Sequence, residues 1–465
     1  MVFSSYIFLF VFLPITCAVY FVLPFKAKNI WLLLSSLAFY SWNNPRYTLI
    51  LLASIIINWG SGLIMCRVKA RKNVLVISVI LNIGILLYYK YANFIVDNLS
   101  VFYPALGESW NRIALPLGIS FFTFQGMSYV IDVYRSDCDA LRNPLDVGLY
   151  VSLFPQLVAG PIVRFKSVAR EIQCRTSSLA DIGYGFRRFV YGLSKKVLLA
   201  DTFGLIADEI FASPASWNIG SCWIGIIAYT LQIYFDFSGY SDMAIGLGRI
   251  FGFHFSENFN YPYTATSITD FWRKWHISLS SWFRDYVYIP CGGSRVPLMR
   301  HIFNIMLVWL LTGIWHGANW TFILWGIYYG VLLLIEKFIL DKFLTRIPRL
   351  IRWGMTIVLV MIGWVIFRSD TLTLALKYLE TMFVPVFDYT SRTIFMRRLV
   401  NYRSFWIAGI AGIFPIKVIF DKIKQNVSGN IIIGIIENVC LTALFVASIL
   451  FIIARNYNAF IYFMF

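Results

Sequence analysis

The chain has 465 residues, of which 59% are hydrophobic, 18% aromatic and 14% charged, and its 40 Lys and Arg exceed its 23 Asp and Glu by 17. A soluble domain needs more polar surface than this, and apolar runs of nearly twenty residues recur, as in membrane-spanning helices. Open sheets cannot satisfy their backbone in lipid, and the alternating pattern of a membrane barrel is absent. The composition therefore predicts an all-α polytopic membrane protein.

The net positive charge is typical of a membrane protein whose cytoplasmic loops collect Lys and Arg. A nucleic-acid-binding protein is not expected, because the chain has no soluble basic module. The seven cysteines are scattered without a CxxC pair, which argues against a disulfide framework and against a zinc site.

The first predicted span covers residues 2–23, and the first positive residue, Lys26, follows it. A secretory signal carries its charge before the apolar stretch, so we expect a retained helix with its N-terminus outside. The next four apolar stretches cover 29–42, 47–65, 74–89 and 113–131. The odd-numbered spans end on the positive side, the third at Arg67, Lys69, Arg71 and Lys72, which predicts alternating direction across the membrane.

The middle of the chain has a different pattern. Residues 147–163 are apolar but broken by Pro155, Gly160 and Pro161, which indicates a re-entrant or kinked segment. Residues 183–200 are typical of an interfacial amphipathic helix, and residues 219–237 can span the membrane. From Asp236 to Arg300 no clean span is expected, only short helices in the interface or dipping into the membrane.

The C-terminal part predicts ordinary spans again, at 302–316, 321–340, 354–367, 404–420 and 431–453. The basic linker 342–352 is expected in the cytoplasm, and 368–403 can hold another amphipathic helix. We expect about 10–13 membrane-embedded helices, counting short ones. They form one domain, residues 1–465, with N-terminal spans in 1–135, a re-entrant and interfacial catalytic middle in 145–320, and C-terminal spans in 321–465.

Histidine is the natural general acid or base near neutral pH. His316 lies in LLTGIWHGANW, between Gly313 and Gly317. An ionisable group at membrane depth faces protein or water, which favours a functional histidine over one that is only hydrogen-bonded to a carbonyl. The flanking glycines would let a ligand or another backbone approach closely.

His276 lies in FWRKWHISLSSWF, residues 271–283. Placed on one helix, this stretch has a shared face formed by Trp272, Trp275, His276, Leu279, Trp282 and Phe283. The alternative is a plain membrane-surface helix in which the histidine has no chemical role. We expect His254 and His301 to be structural, and Asp236, Asp242 and Asp285 to form structural ion pairs.

Several stretches carry a resemblance to a known family: LPLGISFFTFQGMSYVIDVYR (115–135), LFPQLVAGPIVR (153–164), YFDFSGYSDMAIGLGRIFGF (234–253), NFNYPYTATSITDFWRKWHISLSSWFRDYVYIPCGG (258–293) and TGIWHGANWTFILWGIYYG (312–330). Together they resemble the membrane-bound O-acyltransferases (MBOAT), in particular the bacterial branch of alginate O-acetyltransferase AlgI, peptidoglycan O-acetyltransferase PatA and the teichoic-acid D-alanyl transfer protein DltB. The stretch IGWVIFRSDTLTLALKYLETMF (362–383) points to the AlgI branch.

The resemblance implies a ring of membrane helices around a central tunnel and two functional histidines, His316 and His276. We expect His316 to be the base that activates an acceptor hydroxyl, and His276 to orient a reactant, assist proton movement or stabilise an oxyanion. No metal is required. The candidate substrate- and donor-binding residues are Arg273, Lys274, Trp275, Arg284, Asp285, Trp315, Asn319 and Gln125. For the cations, contact with lipid head groups is an equal alternative.

The resemblance also implies the reaction. No cofactor is expected to be bound; the donor substrate is acyl-CoA, with acetyl-CoA the first choice, or an acylated phosphopantetheine carrier. The expected partners are an extracytoplasmic SGNH-type acetyltransferase, a polysaccharide acceptor such as an alginate-like polymer or peptidoglycan, and an acyl carrier protein. The expected location is the bacterial cytoplasmic membrane. The alternatives are D-alanyl transfer to teichoic acid, an acyl-group transporter without chemistry, and a scaffold of an export complex.

Overall fold

The computed structural model describes residues 1–42, 44–344, 346–384, 399–415 and 431–455, and within these ranges it is helical, without a β-strand. In chain order the helices are α1 (Leu13–Val22), α2 (Phe25–Ser41), α3 (Pro45–Met65), α4 (Arg71–Leu99), α5 (Pro104–Ser109), α6 (Ile119–Tyr134), α7 (Pro144–Ser152), α8 (Phe154–Leu157), α9 (Phe165–Gln173), α10 (Leu179–Ser194), α11 (Asp201–Phe211), α12 (Ile219–Ile250), α13 (Ile268–Lys274), α14 (Ile277–Phe283), α15 (Leu298–His316), α16 (Trp320–Ile335), α17 (Asp341–Leu344), α18 (Arg349–Arg368), α19 (Leu372–Phe383), α20 (Arg403–Gly412) and α21 (Ile431–Ala454).

Six helices in the described part of the chain are long and apolar enough to cross a membrane: Pro45–Met65, Arg71–Leu99, Leu298–His316, Trp320–Leu340, Arg349–Arg368 and Ile432–Ala454. Their outer surfaces carry exposed large apolar side chains, for example Ile56 and Ile80 at 62% each, as expected for surfaces in contact with lipid. The prediction of an all-helical, polytopic membrane protein is confirmed. The predicted tunnel stays a prediction.

One compact unit comprises Met1–Phe189 and Ser241–Ser256. Its helices α3 and α4 pair through Asn58 and Asn82, each of whose side-chain amides donates to the other's side-chain oxygen at 3.1 Å. Each amide also donates to the backbone carbonyl four residues earlier. Such interhelical hydrogen bonds help to hold membrane helices together, where apolar contacts with lipid and with protein are equally favourable.

In this unit Asp242 forms the ion pair that the sequence predicts. Asp242 accepts from Arg188 at 2.8 Å. His254, which we expect to be structural, has its Nδ1 2.7 Å from a carboxylate oxygen of Glu171. The broken segment 147–163 bends as its prolines predict, because α7 ends at Ser152 and α8 begins at Phe154.

The other compact unit comprises Val190–Tyr240 and Glu257–Phe465. Its core contains many large aromatic side chains, from α13, α16, α18 and the segments next to α13: Tyr263, Phe271, Trp272, Trp275, Trp325, Tyr329 and Trp364. Within it lies a buried ion cluster: the Lys196 ammonium is 2.7 Å from Asp201 and 2.9 Å from Asp236. Lys196 lies in a π-helical turn, Lys195–Ala200, between α10 and α11.

Two predicted boundaries are wrong, and the structure gives a reason for the first. The span predicted at 219–237 continues to Ile250 as α12, although Asp236 and Asp242 made a membrane helix improbable there. Each of these carboxylates has a cationic partner, Lys196 and Arg188, in its own unit, and pairing lowers the cost of placing charge inside protein. In contrast, α4 runs past the predicted 74–89 to Leu99.

The mixed stretch 368–403 contains α19, the amphipathic helix expected there, and its residues 385–398 lie outside the described part of the chain. The span predicted at 404–420 is described only as α20, Arg403–Gly412, because residues 416–430 are likewise outside the described part.

Candidate active site

The stretch FWRKWHISLSSWF is not one helix. Helix α13 ends at Lys274, Trp275 is extended, and α14 begins at Ile277. A neighbouring segment lies along this break: the N–H of Ile277 donates to the Asn258 carbonyl at 3.0 Å, and the N–H of Asn260 donates to the Lys274 carbonyl at 2.9 Å. These bonds replace those that a continuous helix would make internally.

The predicted single amphipathic helix with one shared face is therefore wrong. Its apolar positions are nevertheless all buried inside protein, which a plain membrane-surface helix would not produce: Trp272, Trp275, Leu279, Trp282 and Phe283. The N-terminus of α13 is held by Glu336, whose carboxylate oxygens accept from the N–H groups of Ile268 at 2.7 Å and Thr269 at 3.0 Å. An acidic group at a helix N-terminus is electrostatically favourable.

His276 lies at the break and has a left-handed backbone, with φ 45° and ψ 52°. This conformation costs about 1–2 kcal/mol for a residue with a Cβ. Non-glycine residues held in it are concentrated at functional sites. The strained backbone therefore favours a functional role for His276 over the alternative of a plain residue in a membrane-surface helix.

The side chain of Asn258 holds the ring of His276 in place. Its Oδ1 accepts from the Ser278 N–H at 3.2 Å and from the Ser278 hydroxyl at 2.9 Å. The same oxygen lies 3.2 Å from Nδ1 of His276. The segment that interrupts the helix thus also orients the imidazole.

The imidazole of His276 is 1% exposed and lies between aromatic rings. Its centroid is 4.6 Å from that of Phe237, in an edge-on contact, and 5.9 Å from that of Trp315. His276 is outside the six candidate spans, and burial lowers its pKa to about 3. The imidazole is therefore neutral near pH 7.

His316 is the last residue of α15, and its imidazole is also buried. It packs edge-on against Trp325 and Phe367, with centroid distances of 4.9 and 5.2 Å. Helices α15 and α16 approach closely at two glycines, because a methyl group added at Gly313 would collide with the Phe322 carbonyl and one added at Gly326 with the Trp309 carbonyl. The sequence left open whether a ligand or another backbone approaches these glycines. At Gly313 the close neighbour is the backbone of α16.

Trp315 brings the two histidines together. Its indole contacts His276 at 5.9 Å between centroids and His316 at 4.9 Å. Both imidazoles thus lie against one indole in apolar surroundings, where a proton acceptor and a hydrogen-bonding group can act on the same bound molecule. That His276 and His316 act together is what the resemblance implies, and it stays a prediction.

The other candidate residues near His276 have varied surroundings. Trp275 is part of the aromatic core, with its centroid 4.9 Å from that of Trp364. Lys274 pairs with Asp270 at 2.9 Å, and Arg284 pairs with Asp285 at 2.7 Å, as predicted for Asp285. Arg273 is exposed and makes no hydrogen bond or ion pair with any described residue.

The remaining two candidates lie elsewhere. Asn319 caps α16, where its side-chain oxygen accepts from the Thr321 N–H at 3.1 Å and its amide donates to the Asp370 carbonyl at 2.9 Å. Gln125 lies in α6 of the unit that begins at Met1, fully buried, and its two side-chain amide atoms have no hydrogen-bond partner among the described residues.

Sequence reasoning missed Asn258, Ser278 and Glu336. Asn258 offered little signal, since it lies in a mixed stretch beside Ser256, Glu257 and Asn260. Glu336 offered more, since an ionisable residue at the end of an apolar run of a membrane protein is often functional. The contacts of both residues link positions far apart in the chain, so their partners could not be assigned from spacing.

Comparison with known proteins identifies the family of the chain. Residues 140–369 match the model of MBOAT, the membrane-bound O-acyltransferase family. A protein named probable alginate O-acetylase AlgI from Azotobacter vinelandii is 38% identical over 100% of both chains, and one of the same name from Pseudomonas aeruginosa is 44% identical over 82% of this chain and 75% of its own. A peptidoglycan O-acetyltransferase from Helicobacter pylori is 37% identical over 82% of this chain and 80% of its own.

The chain is thus a helical membrane protein with two buried histidines against one indole. Proteins named for acyl transfer match it along its length. The chain belongs to the membrane-bound O-acyltransferase family. It is an O-acyltransferase.

Proposed function

We propose that the chain moves acetyl groups from a cytoplasmic thioester donor across the membrane, for the O-acetylation of an extracytoplasmic polysaccharide. The observation that carries this proposal is the placement of His276 and His316 against the indole of Trp315. Support for acetyl over other acyl groups comes from the relatives, which are named for O-acetylation of alginate and of peptidoglycan.

In the proposed reaction an acceptor hydroxyl attacks the carbonyl carbon of an acyl thioester. A neutral hydroxyl is a weak nucleophile, so His316 removes its proton as the new C–O bond forms. The C–S bond then breaks, and the leaving thiolate takes the proton from His316. The products are an ester and a free thiol, and the base is regenerated.

The proposed donor is acetyl-CoA or an acetylated phosphopantetheine carrier. Arg273 is the cation best placed to bind its phosphates, because it is exposed and its guanidinium is not engaged by another described side chain. A guanidinium binds phosphate through two parallel hydrogen bonds. Lys274 and Arg284 already have carboxylate partners, and they would contribute mainly to the local positive charge.

We further propose a location in the bacterial cytoplasmic membrane, with the N-terminus outside. The charge distribution around the first five spans supports this orientation. An extracytoplasmic SGNH-type acetyltransferase is the proposed partner, on the strength of the resemblance to the AlgI branch.

The test is acyl transfer by the purified protein in lipid, with acetyl-labelled CoA and alginate oligomers as acceptor. Wild-type protein should remove label from acetyl-CoA and form an ester. The folded His316→Ala variant should lose about 10²–10⁴-fold in rate, the contribution typical of a general base. His276→Ala should also be impaired, whereas His254→Ala, at a histidine paired with Glu171, should match wild type.

A folded His316→Ala variant with wild-type activity would contradict the proposal. If wild-type protein is inert with acetyl-CoA but active with a D-alanyl carrier thioester, the function is D-alanyl transfer. Movement of label across the membrane without ester formation would instead identify a transporter.

A further inference from the structure

The side-chain atom of Asn258 that faces His276 is an oxygen. It lies 3.2 Å from the backbone N–H of Ser278, and a backbone N–H can only donate a hydrogen bond. If the amide NH₂ of Asn258 occupied that position instead, it would face the Ser278 N–H, and two hydrogen-bond donors cannot pair. The contact with Ser278 therefore fixes which way the Asn258 amide is turned.

The same oxygen lies 3.2 Å from Nδ1 of His276. Since Oδ1 carries no hydrogen, Nδ1 must be the donor in this contact. A neutral imidazole has one N–H, so a proton on Nδ1 leaves Nε2 with a lone pair. Burial keeps this imidazole neutral, because it lowers the pKa of His276 to about 3.

Nε2 of His276 is buried and has no hydrogen-bond partner among the described residues. Buried side-chain nitrogens of this kind are nearly always paired. An unpaired acceptor beside Trp315, which also contacts His316, is suited to receive a hydrogen bond from a ligand.

We propose that Asn258 is a positioning residue that fixes the tautomer of His276, with the proton on Nδ1 and the lone pair of Nε2 presented to the bound acceptor. The catalytic consequence rests on the proposed function. Nε2 accepts a hydrogen bond from a hydroxyl of the acceptor sugar next to the one that attacks, and so holds the acceptor in place while His316 takes the proton of the attacking hydroxyl. A neutral Nε2 has no hydrogen to donate, so of the roles expected for His276 the stabilisation of an oxyanion is excluded.

The direct test is nitrogen NMR of the purified protein labelled with ¹⁵N-histidine in lipid, without substrate. The His276 signals are assigned as those lost in His276→Asn, which tolerates the left-handed backbone. We expect a protonated Nδ1 and an unprotonated Nε2. A wild-type protein with a protonated Nε2, or with a charged imidazolium, at pH 7 overturns the proposal.

Two variants of Asn258 test the positioning role. Asn258→Leu, of similar volume, removes the acceptor; we expect the tautomer to become mixed and kcat to fall on the order of 10²-fold with KM little changed. Asn258→Asp restores an oxygen acceptor and should recover the tautomer and most of kcat. Ser278→Ala removes a second donor to the same oxygen and a hydroxyl 3.4 Å from Nδ1, but it leaves the contact between Asn258 and Nδ1 in place, so we expect it to keep the tautomer.

A folded Asn258→Leu variant that keeps both the tautomer and kcat overturns the positioning role. Should that variant fail to fold, the wild-type spectrum still decides the tautomer. Because the spectrum needs no substrate, it also separates the two proposals: an inactive wild type with the expected tautomer counts against acetyl transfer alone, and an active wild type with the other tautomer counts against this inference alone.

Discussion

His276 has a backbone that favours glycine over alanine. Both substitutions remove the imidazole, so both should lack its contribution to activity, but alanine keeps a Cβ in the left-handed conformation. We expect His276→Gly to be more stable than His276→Ala by about 1 kcal/mol. Thermal unfolding of the two purified variants in the same detergent measures this difference.

His254 provides the control, since its φ is not positive. There the order should reverse, with His254→Ala more stable than His254→Gly by about 0.4–1 kcal/mol, because glycine has more conformational freedom in the unfolded chain. If the alanine variant is more stable than the glycine variant at both positions, the conformation of His276 is not strained.

At the scale of single residues, the sequence correctly predicted that Asp236, Asp242 and Asp285 form ion pairs, and it singled out His276 and His316, whose chemical roles stay predictions. An ionisable residue in an apolar stretch must have a partner or a function, so each can be recognised locally. Asn258 could not be assigned a role in this way. Its importance comes from three donors supplied by His276 and Ser278, residues separated from it by all of α13.

At the scale of elements, the break between α13 and α14 shows where periodicity fails. The spacing of apolar residues at 271–283 fits one helix, and it fits equally well two short helices whose side chains are buried on several sides. Which of the two forms depends on the Asn258–Asn260 segment, because it supplies hydrogen bonds to the broken turn. A pattern within one segment carries no information about such a partner.

The buried ion cluster around Lys196 makes a second element-scale prediction. Lys196→Met would leave Asp201 and Asp236 buried without the ammonium that compensates them. Removing one partner of a buried ion pair costs about 3–5 kcal/mol, so the variant should unfold at a markedly lower temperature. Adding Asp201→Asn and Asp236→Asn to Lys196→Met should recover much of the loss, because no uncompensated charge remains.

Lys166→Met is the matched control for this experiment. Lys166 pairs with Asp137 at 3.1 Å, but both side chains are 36% exposed. An exposed pair contributes at most about 1 kcal/mol. Similar losses of stability for the two lysine variants would show that the Lys196 cluster is not essential to its unit.

At the scale of the whole molecule, composition and hydropathy predicted the class of protein correctly. Twenty-residue apolar runs leave helices as the only solution in lipid, and the described part of the chain is helical. Hydropathy underestimates the length of α12, because it scores each paired carboxylate in this helix as if the carboxylate had no partner. The predicted ring and tunnel depend on contacts that no local pattern encodes.

The orientation of the protein is tested by its cysteines. Cys66 is exposed and follows α3, next to the cationic loop of Arg67 and Lys69. In a variant that retains Cys66 as its sole cysteine, a membrane-impermeant maleimide should label inverted vesicles and spare intact cells. Ser109→Cys in a cysteine-free chain should show the opposite, because its loop lies one span later. Labelling of Cys66 from outside would reverse the proposed topology.

The α15–α16 hairpin determines when, during synthesis, the site can form. A ribosome paused after Asn319 has already made both histidines, but Trp325, against which His316 packs, has not yet been translated. Because Gly313 of α15 and Gly326 of α16 lie against each other, α15 can make its final packing contacts only after α16 has entered the bilayer. Phe367 arrives later still. A nascent chain released early would therefore carry both histidines without the rings against which His316 packs in the complete protein.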